Sequence, residues 1–180
     1  SGGSQAYGKW AKKKMKSSKQ SLFSTFVLGV VIFVDDYFNC LTVGSVMREI
    51  TDEFKVSRAM LAYIIDSTAA PICIIAPISS WAAAVSGYTS GDGFQLFLNT
   101  IPFNLYALLT VVMVCYVIKS EFLVGKMRKH ELAAKEGDIH FGDDSYQTGE
   151  EISYNKNGKV IDLILPVIVL IFSCIVGMIY

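Results

Sequence analysis

Three aspartates, Asp35, Asp36 and Asp66, lie deep inside apolar sequence, and they set the chemistry this chain could do. A carboxylate at membrane depth is costly and by default marks an ion or proton path. No Lys or Arg shares their segments, so the countercharge must be a bound cation, a proton or another part of the protein. A site that holds either a proton or a small cation, but not both, exchanges the two by competition. Deprotonated, it offers hard oxygen ligands suited to a cation such as Na+. Asn39, Ser67 and Thr68 lie beside these acids, and Thr42, Ser79 and Ser80 could add oxygens, together with backbone carbonyls. Consecutive helical residues point about 100° apart. Asp35 and Asp36 therefore face different directions, and one of them, Asp36 by position, suits the N-cap of a following helix. Asp162, near the start of its own apolar segment, reads as an N-terminal helix acid.

The elements that must position these residues are apolar segments of membrane length. The chain has 180 residues, of which 52% are hydrophobic and only 18% charged, with a mean hydropathy of +0.44. Four stretches approach the roughly 20 apolar residues a helix needs to cross a bilayer: residues 21–47, 59–84, 94–118 and 160–180. The chain begins with Ser1 and ends inside the last of them, so it is expected to be an internal piece of a longer protein. The net charge is zero, which excludes a nucleic-acid reading built on charge.

All 16 basic residues fall in residues 1–20, 48–58 and 119–159. Basic loops favour the cytoplasm. If the first three apolar stretches all crossed, two of the basic stretches would lie on opposite sides. Parity returns if residues 21–47 form a re-entrant helical hairpin. The expected order is then a cytoplasmic basic segment (1–20), the hairpin (21–47), a cytoplasmic loop (48–58) and a transmembrane helix (59–84). An extracellular loop (85–93), a second transmembrane helix (94–118), a cytoplasmic polar loop (119–159) and a last transmembrane helix (160–180) follow.

Two of these stretches should be interrupted. A helix from Ser21 to Val34 is about 20 Å long, which brings its end to mid-membrane, so the hairpin would have a polar tip at residues 35–39. In residues 59–84, Pro71 removes an N–H and clashes one turn back, which predicts an opening around residues 66–70, with Pro77 a second weak point. Irregular backbone at depth is tolerated only where protein or a water-filled cavity satisfies it, and such broken helices form the ion sites of secondary transporters. Residues 94–118, which open with Asn99, Pro102 and Asn104, read as a structural span.

The remaining features read as packing or solvation. Cys40, Cys73, Cys115 and Cys174 sit singly in apolar sequence, as small packing residues do. Residues 126–137, KMRKHELAAKEG, suggest a short solvated helix, and Asn157-Gly158 a hairpin-type turn. His130 and His140 near Asp143 and Asp144 lack metal-ligand spacing and read as solvated charge. Lys12-Lys13-Lys14 is a topology determinant with lipid head-group contact as a secondary role. An intramembrane protease would need two carboxylates sharing a proton, but no second catalytic motif accompanies the aspartates. No enzyme activity and no cofactor are expected.

The runs FVDDYFNCLTVGSVM and VSRAMLAYIIDSTAAPICIIAPISSWAAA resemble the NhaC-type Na+/H+ antiporters of bacteria. The resemblance covers residues 2–116 and weakens beyond Lys119. It implies an all-α polytopic fold: one of two inverted repeats, each with a re-entrant hairpin and a broken transmembrane helix. It places Asp35, Asp36, Asn39, Asp66, Ser67 and Thr68 where substrate and ions bind. The implied partners are Na+, H+, membrane lipid and the remainder of the same transporter chain. The implied location is the bacterial plasma membrane, multi-pass, with a homodimer one assembly open to it. Some similar proteins instead exchange organic acids such as malate and lactate, which is the alternative expectation. One departure is Glu49, where the family's MRP-like stretch carries Pro.

Overall fold

The computed structural model describes residues 15–89, 91–142, 159 and 161–179. Lys12 to Lys14, Asp143, Asp144 and Asn157-Gly158 lie outside them. The described residues form eight α-helices and one 3-10 turn, with no strand. In order these are α1 (Ser18–Val31), α2 (Asp36–Glu53), α3 (Arg58–Ile75), α4 (Ser80–Ser86) and α5 (Gly93–Thr100). The 3-10 turn Ile101–Phe103, α6 (Leu105–Ser120), α7 (Gly125–Glu136) and α8 (Ile161–Ile179) complete the order.

The helix starts are set by side-chain caps. Ser17, Asp35, Ser57, Ser79, Asp92 and Asn104 each accept a hydrogen bond from a backbone N–H three residues on. Each thus satisfies one of the donors a helix leaves free at its N-terminus. The cap of α2 is Asp35, not Asp36: its carboxylate accepts from Phe38 N at 2.8 Å. Its extended backbone (φ −146°, ψ 128°) is the conformation a cap needs, and Asp36 already lies inside the first turn.

The expected opening at residues 66–70 is not there. α3 runs unbroken through Pro71, and the chain leaves the helix at Ala76 (ψ 126°). Pro77 pushes the residue before it out of the helical region, and here the freed groups have other partners. Ser79 caps α4, and Ser80 N donates to the Val34 carbonyl at 2.8 Å. At Pro71 no second cap follows, so packing keeps the helix whole. Residues 94–118 are not one straight helix either. The chain bends by 50° between Phe103 and Leu105, because Pro102 tightens the turn and Asn104 starts a new helix, accepting from Ala107 N at 3.2 Å. Among the described residues, Arg58–Ile75 is long and apolar enough to cross a membrane, and the bent pair α5–α6 passes the same test as one unit.

Two apolar clusters bind these helices. One joins Ile32 with Val43, Val46, Met47 and Ile50 of α2 and Leu61 of α3. The other joins Leu22 of α1, Val56, Met60 and Ile64, and Val114, Val117 and Ile118 of α6. The second cluster gathers the start of α1, the start of α3 and the end of α6 at one end of the bundle. There Lys19 Nζ reaches the Lys119 carbonyl at 3.3 Å and Glu121 at 3.5 Å. α7 forms as the sequence predicts but is not purely solvated. Glu131 is only 8% exposed and takes hydrogen bonds from Ser57 N (2.9 Å) and Ser57 Oγ (2.7 Å). A carboxylate is favoured there because the N-terminus of α3 presents free N–H groups and a positive dipole end.

Candidate functional site: two chain interruptions that meet

The turn between α1 and α2 is a point of convergence. Asn39, in the second turn of α2 and 1% exposed, donates its amide to the carbonyls of Gly29 (2.7 Å) and Ile32 (2.9 Å). It satisfies carbonyls that the end of α1 leaves free. The oxygen of the same amide, Asn39 Oδ1, is buried with no hydrogen-bond partner among the described residues. Such an acceptor in an apolar interior is unfavourable until something fills it. Gly29 completes the contact: a Cβ there would stand 2.9 Å from Thr68 Cγ2 and 3.7 Å from Asn39 Oδ1. Thr68, also buried, donates its hydroxyl to the Ile64 carbonyl.

The break between α3 and α4 docks on that turn. The Val34 carbonyl accepts from Ser80 N at 2.8 Å and from Cys73 Sγ at 3.6 Å, and Cys73 Sγ lies 3.6 Å from Ser80 Oγ. Ser79 is buried, caps Ala82 N at 3.2 Å and donates to the Ala76 carbonyl at 3.2 Å. A cavity of about 440 Å³ opens beside the contact, lined by Val34, Asp35, Phe38 and Ser80 with Pro166 and Leu170 of α8.

The acids are arranged around this junction rather than gathered in one cluster. Asp35 lines the cavity and is half-buried, as is Asp36. Asp66, near the middle of α3, is exposed because no described element packs on that side, while its neighbour Ser67 is buried. Cys40 lies within electrostatic reach of both Asp36 and Asp66, and Cys73 within reach of Asp36. None of the three acids makes an ion pair among the described residues. Thr42, a turn past Asn39, is half-buried. No group of three His, Cys, Asp or Glu side chains among the described residues could hold a metal ion.

Sequence reasoning missed three participants. The Val34 carbonyl carries no side-chain signal at all. Gly29 is one glycine among 14. Cys73 reads as a packing residue, which it is, but it packs against the junction itself.

The described residues are thus all-helical, with one helix, or two counting the bent pair, long and apolar enough to cross a membrane. The model of the Na+/H+ antiporter family matches residues 61–180, and the chain belongs to that family. It is a family of transporters rather than enzymes. A protein of Haemophilus influenzae, itself described as uncharacterized, is 37% identical over 191 residues, which cover 100% of this chain and 35% of that relative. The chain thus spans about a third of the length of the relative it matches. No solved structure matches.

Proposed function

We propose that the chain forms one repeat of the ion-carrying core of an NhaC-type antiporter that exchanges Na+ for H+ across the bacterial plasma membrane. The observation that carries this reading is the contact between Val34 and Ser80, which joins two chain interruptions over the cavity that Asp35 lines. Interrupted helices expose carbonyls and N–H groups at depth, and oxygen ligands for a cation come from such groups.

The helices support a re-entrant hairpin. α1 has 14 residues, about 20 Å of helix, against a hydrocarbon core of roughly 30 Å. α2 turns charged from Arg48 onward. The ends of both arms lie with the basic residues Lys19, Lys55 and Lys119 at one end of the bundle, as a cytoplasmic assignment of all three basic stretches requires. The broken transmembrane helix is α3–α4, with its break at residues 76–79.

In this reading Asp36 and Asp66 carry the exchanged charge and Asp35 holds the tip in place while facing the cavity. Asn39 Oδ1 is a ready neutral ligand, with Ser67, Thr68, Thr42, Ser79 and Ser80 as further oxygens. The second repeat, elsewhere in the full protein, covers the exposed face of Asp66 and closes the site. A bound Na+ displaces the proton and a proton displaces Na+, so one site exposed alternately to the two sides yields exchange. Full-length protein in vesicles with an internal pH dye tests this. Addition of Na+ or Li+ should move protons without malate. Movement that requires malate would assign the organic-acid exchanger instead, and no response to any cation would end the proposal.

A further inference from the structure

A basic cavity among the described residues lies away from the ion site, where α2 ends and α3 begins. It has a volume of about 500 Å³ and is lined by Arg48, Arg58, His130 and His140 over a floor of Gly44, Ala59, Leu61 and Ile139. Four side chains that can carry positive charge line it, and no carboxylate does. Two consecutive helices, at the end of α2 and the start of α3, build it together with α7 and the turn after it, much further along the chain. The assembly is fixed from several sides. Arg58 N donates to the Ile139 carbonyl at 3.3 Å, and the His130 ring packs on Phe141 with centroids 4.3 Å apart. Lys55 Nζ reaches the Lys135 carbonyl at 3.5 Å.

The nearby acids neutralise it only in part. Asp52 is already held by Arg58 Nη2 at 2.6 Å. Burial pushes the Asp52 carboxyl up from its ordinary range, and the Arg58, Arg48 and His140 charges pull it back only in part. Glu49 is exposed, and Arg48 makes no ion pair among the described residues. Arg58 Nε is buried with no acceptor among them. A guanidinium donor left without an acceptor, two arginines and two imidazoles form the donor set that binds a phosphate group through charge-assisted hydrogen bonds. Arg58 is also the first residue of the helix that can cross a membrane. With α3 spanning the bilayer from Arg58, as the proposed function has it, the charged rim lies at the level of lipid head groups, with apolar Leu61 and Ala59 among its lining.

We infer that this cavity is a binding site for a phosphate group, supplied by an anionic phospholipid or by soluble phosphate. The guanidinium of Arg48 and the imidazoles of His130 and His140 contact the phosphate oxygens, with the Arg58 charge adding to the field of the site. The inference stands apart from the ion site and does not depend on which ion the protein carries.

The test uses full-length protein in neutral detergent and measures binding by native mass spectrometry and thermal shift. The probes are short-chain phosphatidylglycerol, phosphatidylcholine of the same chain length and inorganic phosphate. Phosphatidylglycerol should bind saturably and raise the unfolding temperature, and Arg48→Gln should weaken it roughly tenfold, as loss of one charge-assisted hydrogen bond does. Arg48 is exposed, so its replacement leaves the fold intact; His130→Gln provides a second, independent variant with the same expected loss. Inorganic phosphate binding with the same sensitivity to both variants would assign the soluble source. Binding of phosphatidylglycerol alone would assign the lipid. Equal binding by the variants and the parent, equal binding of phosphatidylcholine, or no binding of either phosphate would each overturn the inference.

Discussion

Gly29, Asn39 and Thr68 form a close contact between α1, α2 and α3. The Thr68 methyl stands where a Gly29 side chain would go, and its hydroxyl is tied to the Ile64 carbonyl, which fixes a β-branched side chain that is already stiff at χ1. Gly29→Ala should therefore destabilise the protein, although Ala is the better helix former by about 1 kcal/mol. Overpacking of this kind costs about 1–3 kcal/mol. Thr68→Ser removes the methyl and keeps the hydroxyl. In that background Gly29→Ala should reverse sign and stabilise, by up to about 1 kcal/mol. Thermal unfolding of the four full-length proteins reads the reversal, and additive effects would contradict the contact. Asn39 was legible as a polar residue at depth. Its use as a clamp on α1 was not, because nothing local says which carbonyls the chain will bring to it.

At the scale of elements, two prolines of the same type have different outcomes. Pro71 sits inside α3 and Pro77 ends it, because Ser79 and the Val34 carbonyl offer the freed backbone new partners only at the second site. The existence of an interruption in residues 59–84 and its two candidate places, at Pro71 and Pro77, were thus readable from Pro content; which of the two opens was not, since the deciding acceptor lies in another helix. The turn between α1 and α2 falls at residues 32–35, just before the polar tip expected at residues 35–39. α7 teaches the converse lesson. KMRKHELAAKEG carries the composition of a solvated helix, yet Glu131 is held by Ser57 at the start of α3. Glu131→Ala should leave the Ser57 N–H buried and unpaired, which costs about 1–3 kcal/mol. Glu131→Gln, which keeps one acceptor oxygen, should cost less. Ser57→Ala should then cost less in the Glu131→Ala background than in the parent, since contacting residues do not add, while loss of its cap on Met60 N costs the same in both. A double-mutant cycle on the unfolding transition checks this, and full additivity would show that the two residues do not share a bond.

At the scale of the whole molecule, two thirds of the chain match the family model, and the chain covers about a third of a relative's length. Membrane class and helical content were legible because hydropathy and charge placement follow directly from the bilayer as solvent. The enclosure of the acids was not legible here, and the described residues leave Asp66 exposed; under the proposed function its covering partners belong to the second repeat. The account gives this exposed, uncompensated carboxylate the task of carrying the exchanged charge, which makes it the place to strike. Full-length protein with Asp66→Asn, reconstituted in pH-dye vesicles and assayed beside the parent and Asp162→Asn, provides the most direct measurement. Cation-driven proton movement should vanish with Asp66→Asn and persist with Asp162→Asn; undiminished movement with Asp66→Asn would contradict the account.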